Sequence, residues 1–138
     1  MSYNWNTRTE LLLGADRMER LAHSHVLVVG LGGVGAYAAE QICRAGIGHM
    51  TIVDADTVNE SNINRQLPAL HSTLGMPKAE VVTRRLLDIN PRLKLGVLNE
   101  FLRDERTEEV LSATRYDFVV DAIDSLSPKA VSYTHLRA

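Results

Sequence analysis

A chain of 138 residues has room for one domain, and an apolar content of 45% is enough to fill a single core. Its 15 basic and 17 acidic side chains leave a formal charge of −2, which excludes the broad basic field that attracts nucleic acid non-specifically. A lone cysteine excludes an internal disulfide, no apolar run approaches the roughly 18 residues of a bilayer span, and no signal-peptide pattern opens the chain, so a cytoplasmic location with no membrane partner is expected.

Thr7 and Glu10 have the spacing of a helix capping box, with Gly14 placed to end a short helix, and Asp16 is placed to cap a second one containing Met18 and Leu21. "HVLVVG", residues 25 to 30, is a continuous apolar run of the kind found in a parallel strand buried on both faces. A helix from about Val34 to Ala45, closed by Gly46, leads to a second strand, "HMTIVD", ending at Asp54. After a polar segment, Gly75 and Pro77 announce a helix whose Ala79, Val82, Leu86 and Ile89 share one face before Asn90 and Pro91 stop it. "LKLGVLN" is a weaker third strand, and a helix capped by Asp104 leads to "YDFVVDA", a fourth strand ending near Asp121.

This alternation predicts an α/β fold, a Rossmann-like doubly wound parallel sheet with right-handed crossovers and ligands at the carboxyl ends of the strands. A fourth strand this apolar would be a bare edge where the sequence stops, so the chain reads as the N-terminal half of a larger domain. Ser127 and Pro128 open a further helix whose spacing is lost after Val131, and residues 132–138 read as a non-native tail. The expected organisation is an N-terminal helical segment over residues 1–23 and a nucleotide-binding domain over residues 24–131.

"GLGGVG" sets Gly30, Gly32 and Gly35 in the G-x-G-x-x-G spacing between a strand and a helix. The first permits a tight turn, the second lets phosphate approach the backbone, and the third lets the helix lie close to the strand. Asp54 follows at the distance where a carboxylate accepts hydrogen bonds from ribose hydroxyls, with a strand-end carboxylate facing water as the lesser alternative. Asp56 reads as a turn cap. The next residues depart from a nicotinamide-dependent oxidoreductase, which has no use for cations gathered beside phosphate. Asn62, Asn64, Arg65 and Gln66 offer amides and one permanent guanidinium, and Lys78 a second, mobile cation. Asp121 and Asp124 lie above the same crevice, where Asp124, beyond the strand, is the better oxygen ligand for magnesium (Mg2+). A glycine turn, a ribose carboxylate, two cations and a metal-binding acid are what nucleotidyl transfer requires.

The motifs "GLGGVG", "VDADTV", "SNINRQ", "GMPKAEV", "INP" and "DAID", in this order, resemble the adenylating domain of the ubiquitin-activating (HesA/MoeB/ThiF) superfamily from about Arg8 to Lys129. "RTELLLG", "NINRQ" and "DAIDSLSPK" are most similar to its tRNA threonylcarbamoyladenosine dehydratases, whereas the sulfur-carrier activators have Thr-Asp-Asn where this chain has Ile123, Asp124 and Ser125. The resemblance implies an ATP-binding adenylating domain with Gly30, Gly32 and Gly35 around the phosphates, Asp54 at the ribose, and Asn62, Arg65 and Lys78 along the triphosphate. It implies that Asp124 acts through Mg2+ and that Arg8 reaches the nucleotide of a second copy in a homodimer. The implied reaction activates the threonyl carboxylate of a modified tRNA adenosine as an adenylate, releases pyrophosphate and closes a ring. The rival readings are a sulfur-carrier adenylyltransferase with a sulfur-transfer partner protein, and a nicotinamide-dependent enzyme or nucleotide sensor. Cys43 reads as packed, and His23, His25, His49 and His71 have no partners at metal spacing.

Overall fold

The computed structural model describes residues 3–123. Four parallel strands, β1 (His25–Val29), β2 (His49–Val53), β3 (Lys94–Leu98) and β4 (Phe118–Asp121), form one sheet in the order β3-β2-β1-β4. The two short helices α1 (Thr7–Leu13) and α2 (Ala15–Ala22) precede β1, and α3 (Gly35–Ala45), α4 (Lys78–Ile89) and α5 (Asp104–Ala113) make the crossovers. This is the doubly wound α/β architecture that the alternation of patterns predicts.

All of β1 is buried because it is central and covered on both faces. Alternate side chains divide between two cores, as the period of two in a strand requires. Val26 and Val28 join Leu31, Ala39, Met50, Ile52, Val82 and Leu86 beneath α3 and α4, while Leu27 and Val29 join Val53, Leu102, Val110 and Leu111 beneath α5. The sheet edges are more open: Val97 of β3 and Phe118 of β4 are exposed.

Three caps differ from the expectation by a residue or more. Thr7 is the first residue of α1, and its hydroxyl accepts from the amide of Asn4 at 2.8 Å, so the polar cap forms one turn earlier than Thr7 and Glu10 suggest. Gly14 precedes α2 and leaves Asp16 in its first turn, a favourable place for an anion at a helix N-terminus. Arg103 precedes α5, which puts Asp104 inside the helix. Asp124, the helix expected from Ser127 and Pro128, and the tail all lie outside the described residues.

Candidate functional site: a glycine turn under a polar loop

The turn joining β1 to α3 is shaped by what a side chain there would strike. Gly30 has φ +93°, and a Cβ would stand 2.8 Å from the carbonyl oxygen of Ala122. At Gly35 a Cβ would lie 1.6 Å from the carbonyl oxygen of Gly30, so only glycine lets α3 start this close to β1. The first-turn amides of α3 lack intrahelical acceptors and make the turn a site for an anion.

Asp54, just past β2, ties this turn down. Its Oδ2 accepts from the amide of Leu31 at 2.7 Å and its Oδ1 from the amide of Asp56 at 2.7 Å. Each oxygen keeps a second lone pair for a ligand hydroxyl. Beside it opens a cavity of about 560 Å³ at the carboxyl end of the sheet, lined by Val29, Gly30, Val53, Asp54, Leu102 and Ile123 among others. Its walls suit a flat heterocycle with a polar rim, the usual chemistry of a nucleotide pocket.

The segment from Asp54 to Lys78 closes on itself. Val58 donates to the carbonyl of Met76 at 2.8 Å, Gly75 to Val58 at 2.9 Å, and Lys78 to Asp56 at 2.9 Å, with a bridge between Thr57 and Pro77. Within it, Asn62 uses its Oδ1 to accept from the amide of Asn59 at 2.9 Å, closing a short 3-10 turn at Glu60–Asn62. A part along a triphosphate therefore falls to its amide nitrogen. This folding sets Arg65 and Gln66 directly over the glycines: a Cβ on Gly33 would meet Cγ of Arg65 at 3.7 Å, and one on Gly32 would meet Nε2 of Gln66 at 3.5 Å. The guanidinium of Arg65 is exposed and uses Nη1 on the carbonyl of Ser61 and on Asn64 Oδ1, at 3.2 and 2.9 Å.

Lys78 departs from the mobile cation that its surroundings in the sequence suggest. The residue is 5% exposed, and its Nζ lies 3.9 Å from Oδ2 of the exposed Asp56. A buried ammonium with one long ion pair is under-compensated, the state expected of a group whose counter-charge arrives with a ligand. Asp56, read from sequence as a turn cap, thus has an ionic part that only the fold reveals; the bridge at Thr57 and Pro77 brings it to Lys78.

The structure gathers Gly30, Gly32, Gly35, Asp54, Asn62, Arg65 and Lys78 around the carboxyl ends of β1 and β2. Arg8 is elsewhere, exposed on α1. Asp121 ends β4 with Oδ1 accepting from the amide of Ile123 at 3.4 Å. Among the described residues there is no group of three or more histidine, cysteine or acidic side chains placed to hold a metal, and no helix long and apolar enough to cross a membrane. Sequence reasoning missed the segment from Glu100 to Asp104, which forms one wall of the cavity. Its only signal was position, immediately after a strand, where α/β folds place ligands.

The opposite end of the sheet holds polar groups of another kind. His25 and His49, opposite each other in the β1–β2 register, stack with ring centroids 3.5 Å apart, and Tyr116 packs at 4.6 Å. Nε2 of His25 lies 2.8 Å from Thr51 Oγ1. Burial first, then neighbouring His49, push the His25 pKa below its usual value, and burial raises that of Tyr116. Cys43 is fully buried with Sγ 3.6 Å from the carbonyl of Leu86, and burial raises its pKa, so it is a packing residue.

Residues 3–131 match the model of the ThiF family. The chain belongs to that family. It is 40% identical over 136 residues to the tRNA threonylcarbamoyladenosine dehydratase of Escherichia coli, a match covering 96% of this chain and 50% of that enzyme. It is 37% identical to the molybdopterin-synthase adenylyltransferase of Haemophilus influenzae, covering 80% of this chain and 45% of the relative. The solved structure of the E. coli tRNA N6-threonylcarbamoyladenosine dehydratase in complex with ATP superposes with a TM-score of 0.92 at 39% identity, covering 99% of this chain and 57% of that one. The chain spans about half the length of the curated relatives it matches.

Proposed function

We propose that this chain is the ATP-binding part of a tRNA threonylcarbamoyladenosine dehydratase. The observation that carries the reading is the position of the Arg65 loop over the glycine turn, with Arg65 and Gln66 directly above Gly33 and Gly32. Hydride transfer gains nothing from cations there, whereas a triphosphate lying along the edge where turn and loop meet has backbone amides on one side and Arg65 and Lys78 on the other. The similarity to dehydratases from E. coli, H. influenzae and Bacillus subtilis at 40%, 41% and 42% identity supports the substrate class.

In this reading the apolar cavity takes adenine and Asp54 the ribose. A carboxylate oxygen of the threonyl group attacks the α-phosphorus, the bond to the bridging oxygen breaks, and pyrophosphate leaves with its added charge held by Arg65 and Lys78. Intramolecular attack on the activated carbonyl then closes the ring and expels AMP, with net loss of water from the substrate. Asn62 holds the loop that carries Arg65. Asp124 is assigned to Mg2+, which would offset negative charge on the phosphates when bound. Arg8, exposed on α1, is assigned to the nucleotide of a second copy in a cytoplasmic homodimer.

The similarity to molybdopterin-synthase adenylyltransferases favours a second reading, in which the same ATP site adenylates the C-terminus of a sulfur-carrier protein within a sulfur-transfer pathway. Incubating the intact enzyme with ATP and either modified tRNA or a carrier protein, followed by mass analysis, separates the two. Ring closure on tRNA is the expected result; carrier adenylate with unchanged tRNA would overturn it.

A further inference from the structure

The cavity wall between β3 and α5 is held by its two ends and by side chains. At the near end the amide of Asp54 donates to the carbonyl of Leu98 at 3.1 Å, and at the far end the amide and hydroxyl of Thr107 donate to the carbonyl of Arg103 at 2.7 and 2.9 Å. Among the described residues, residues 99–102 make no backbone-to-backbone hydrogen bond. Leu102 is buried with Val53, Val110 and Leu111, whereas Phe101 beside it is 65% exposed and lines the cavity.

A second side chain fixes this stretch from α5. Arg106 lays its guanidinium on the half-buried Glu100, with Nε donating to Oε1 at 2.5 Å and Nη2 to Oε2 at 3.3 Å. Its Nη1 donates to Glu109 Oε2 at 3.0 Å on the same helix. The pair with Glu109 spans one helical turn and ties α5 only to itself. The fork onto Glu100 ties α5 to the cavity wall, and two parallel contacts fix a carboxylate in direction as well as distance.

We propose that Arg106 is a positioning residue for the nucleobase, acting through Glu100 to hold the wall at residues 99–102 in the shape that receives it. The inference rests on the ATP reading above, and Arg106 itself lies outside the lining of the cavity. Binding then depends on the fraction of molecules whose wall is in place, and apparent affinity falls in proportion when that fraction falls. The two side chains are 44% and 34% exposed, so salt screens the fork. Affinity for an uncharged nucleoside thereby becomes salt-dependent through the wall.

The test is equilibrium titration of the intact enzyme with ATP, adenosine and inorganic tripolyphosphate, each at about 0.05 M and about 1 M salt. Arg106→Gln is expected to weaken adenosine binding about threefold at low salt and to leave tripolyphosphate binding unchanged. Glu100→Gln should do the same, and the double variant should lose no more than either. Raising the salt should close the gap between the unsubstituted enzyme and both variants. Glu109→Gln breaks only the pair within α5 and should bind adenosine as the unsubstituted enzyme does. Unchanged adenosine affinity in Arg106→Gln or Glu100→Gln at low salt, additive losses in the double variant, or an equal loss in Glu109→Gln would overturn the assignment. So would a gap that persists in full at high salt, or a matching loss for tripolyphosphate, either of which marks a general structural defect. An unsubstituted enzyme that binds neither adenosine nor ATP would overturn the ATP reading and this inference with it.

Discussion

The two ends of the sheet treat their polar groups in opposite ways. At the amino end Nε2 of His25 pairs with Thr51 Oγ1 at 2.8 Å, the rings of His49 and Tyr116 pack on His25, and the His25 amide donates to Asp117 Oδ2 at 2.8 Å. At the carboxyl end Lys78 is buried with one ion pair at 3.9 Å, and Gln66 and Asp121 each keep a buried oxygen that accepts no hydrogen bond. The lesson is that polarity alone does not mark a site. Polar groups left incomplete by the fold do, because the missing partner must come from outside.

Glycine substitutions break the comparison most severely. Gly35→Ala would drive a Cβ to 1.6 Å from the carbonyl oxygen of Gly30, and Gly48→Ala, at the amino end, to 1.8 Å from that of Ala22. Each is expected to cost more than about 4 kcal/mol and to abolish the cooperative transition in chemical denaturation. Here the two ends behave alike, since backbone packing is common to both.

Arg65→Ala and Asp117→Ala separate them. Arg65→Ala is expected to lower turnover of the intact enzyme by about 100-fold or more while stability changes by no more than about 0.5 kcal/mol, because an exposed cation is lost from the phosphates and not from the core. Asp117→Ala should do the reverse, costing about 1 kcal/mol by removing the acceptor of the His25 amide and leaving turnover intact. Turnover assays paired with urea titrations read both. Similar activity losses in the two variants would erase the distinction between the ends.

Lys78→Met sharpens the same contrast inside one residue. ATP affinity is expected to fall about tenfold or more, whereas the unfolding midpoint should hold or rise once a buried, poorly paired charge is gone. A large drop in midpoint would mean that the Asp56 pair supports the fold.

The smallest effect belongs to pH. The folded chain holds His25 with a pKa below the usual 6.5, so below that value the unfolded chain binds more protons. The contribution of His25 to stability is therefore complete above about pH 6.5 and is lost as pH falls through the lowered folded value. The groups facing it are His49, Tyr116, Thr51, Asp117 and the backbone of Arg115. In His25→Gln the slope of stability against pH over that range should flatten; an unchanged slope would assign it to other groups.

Much of this was legible in the residues because strand burial and glycine geometry are local. A run such as "HVLVV" suits a strand covered on both sides, and only glycine satisfies positions 30 and 35. The caps were less legible, since Thr7, Asp16 and Asp104 each lie within a turn of the true boundary and several spacings fit equally well. The burial of Lys78 and Gln66 was not legible at all. It depends on the loop from Asp54 to Lys78 folding back through the bridge at Thr57 and Pro77, which no local pattern announces. Likewise His25 and His49 meet only through strand register.

The central claim is that a triphosphate lies along the edge where the glycine turn meets the Arg65 loop, and a structure of the intact enzyme with ATP bound tests it most directly. The predicted result places phosphate oxygens within hydrogen-bond distance of the Arg65 guanidinium and Lys78 Nζ, above Gly32 and Gly33. A triphosphate directed away from that loop, with Lys78 still paired only to Asp56, would contradict it.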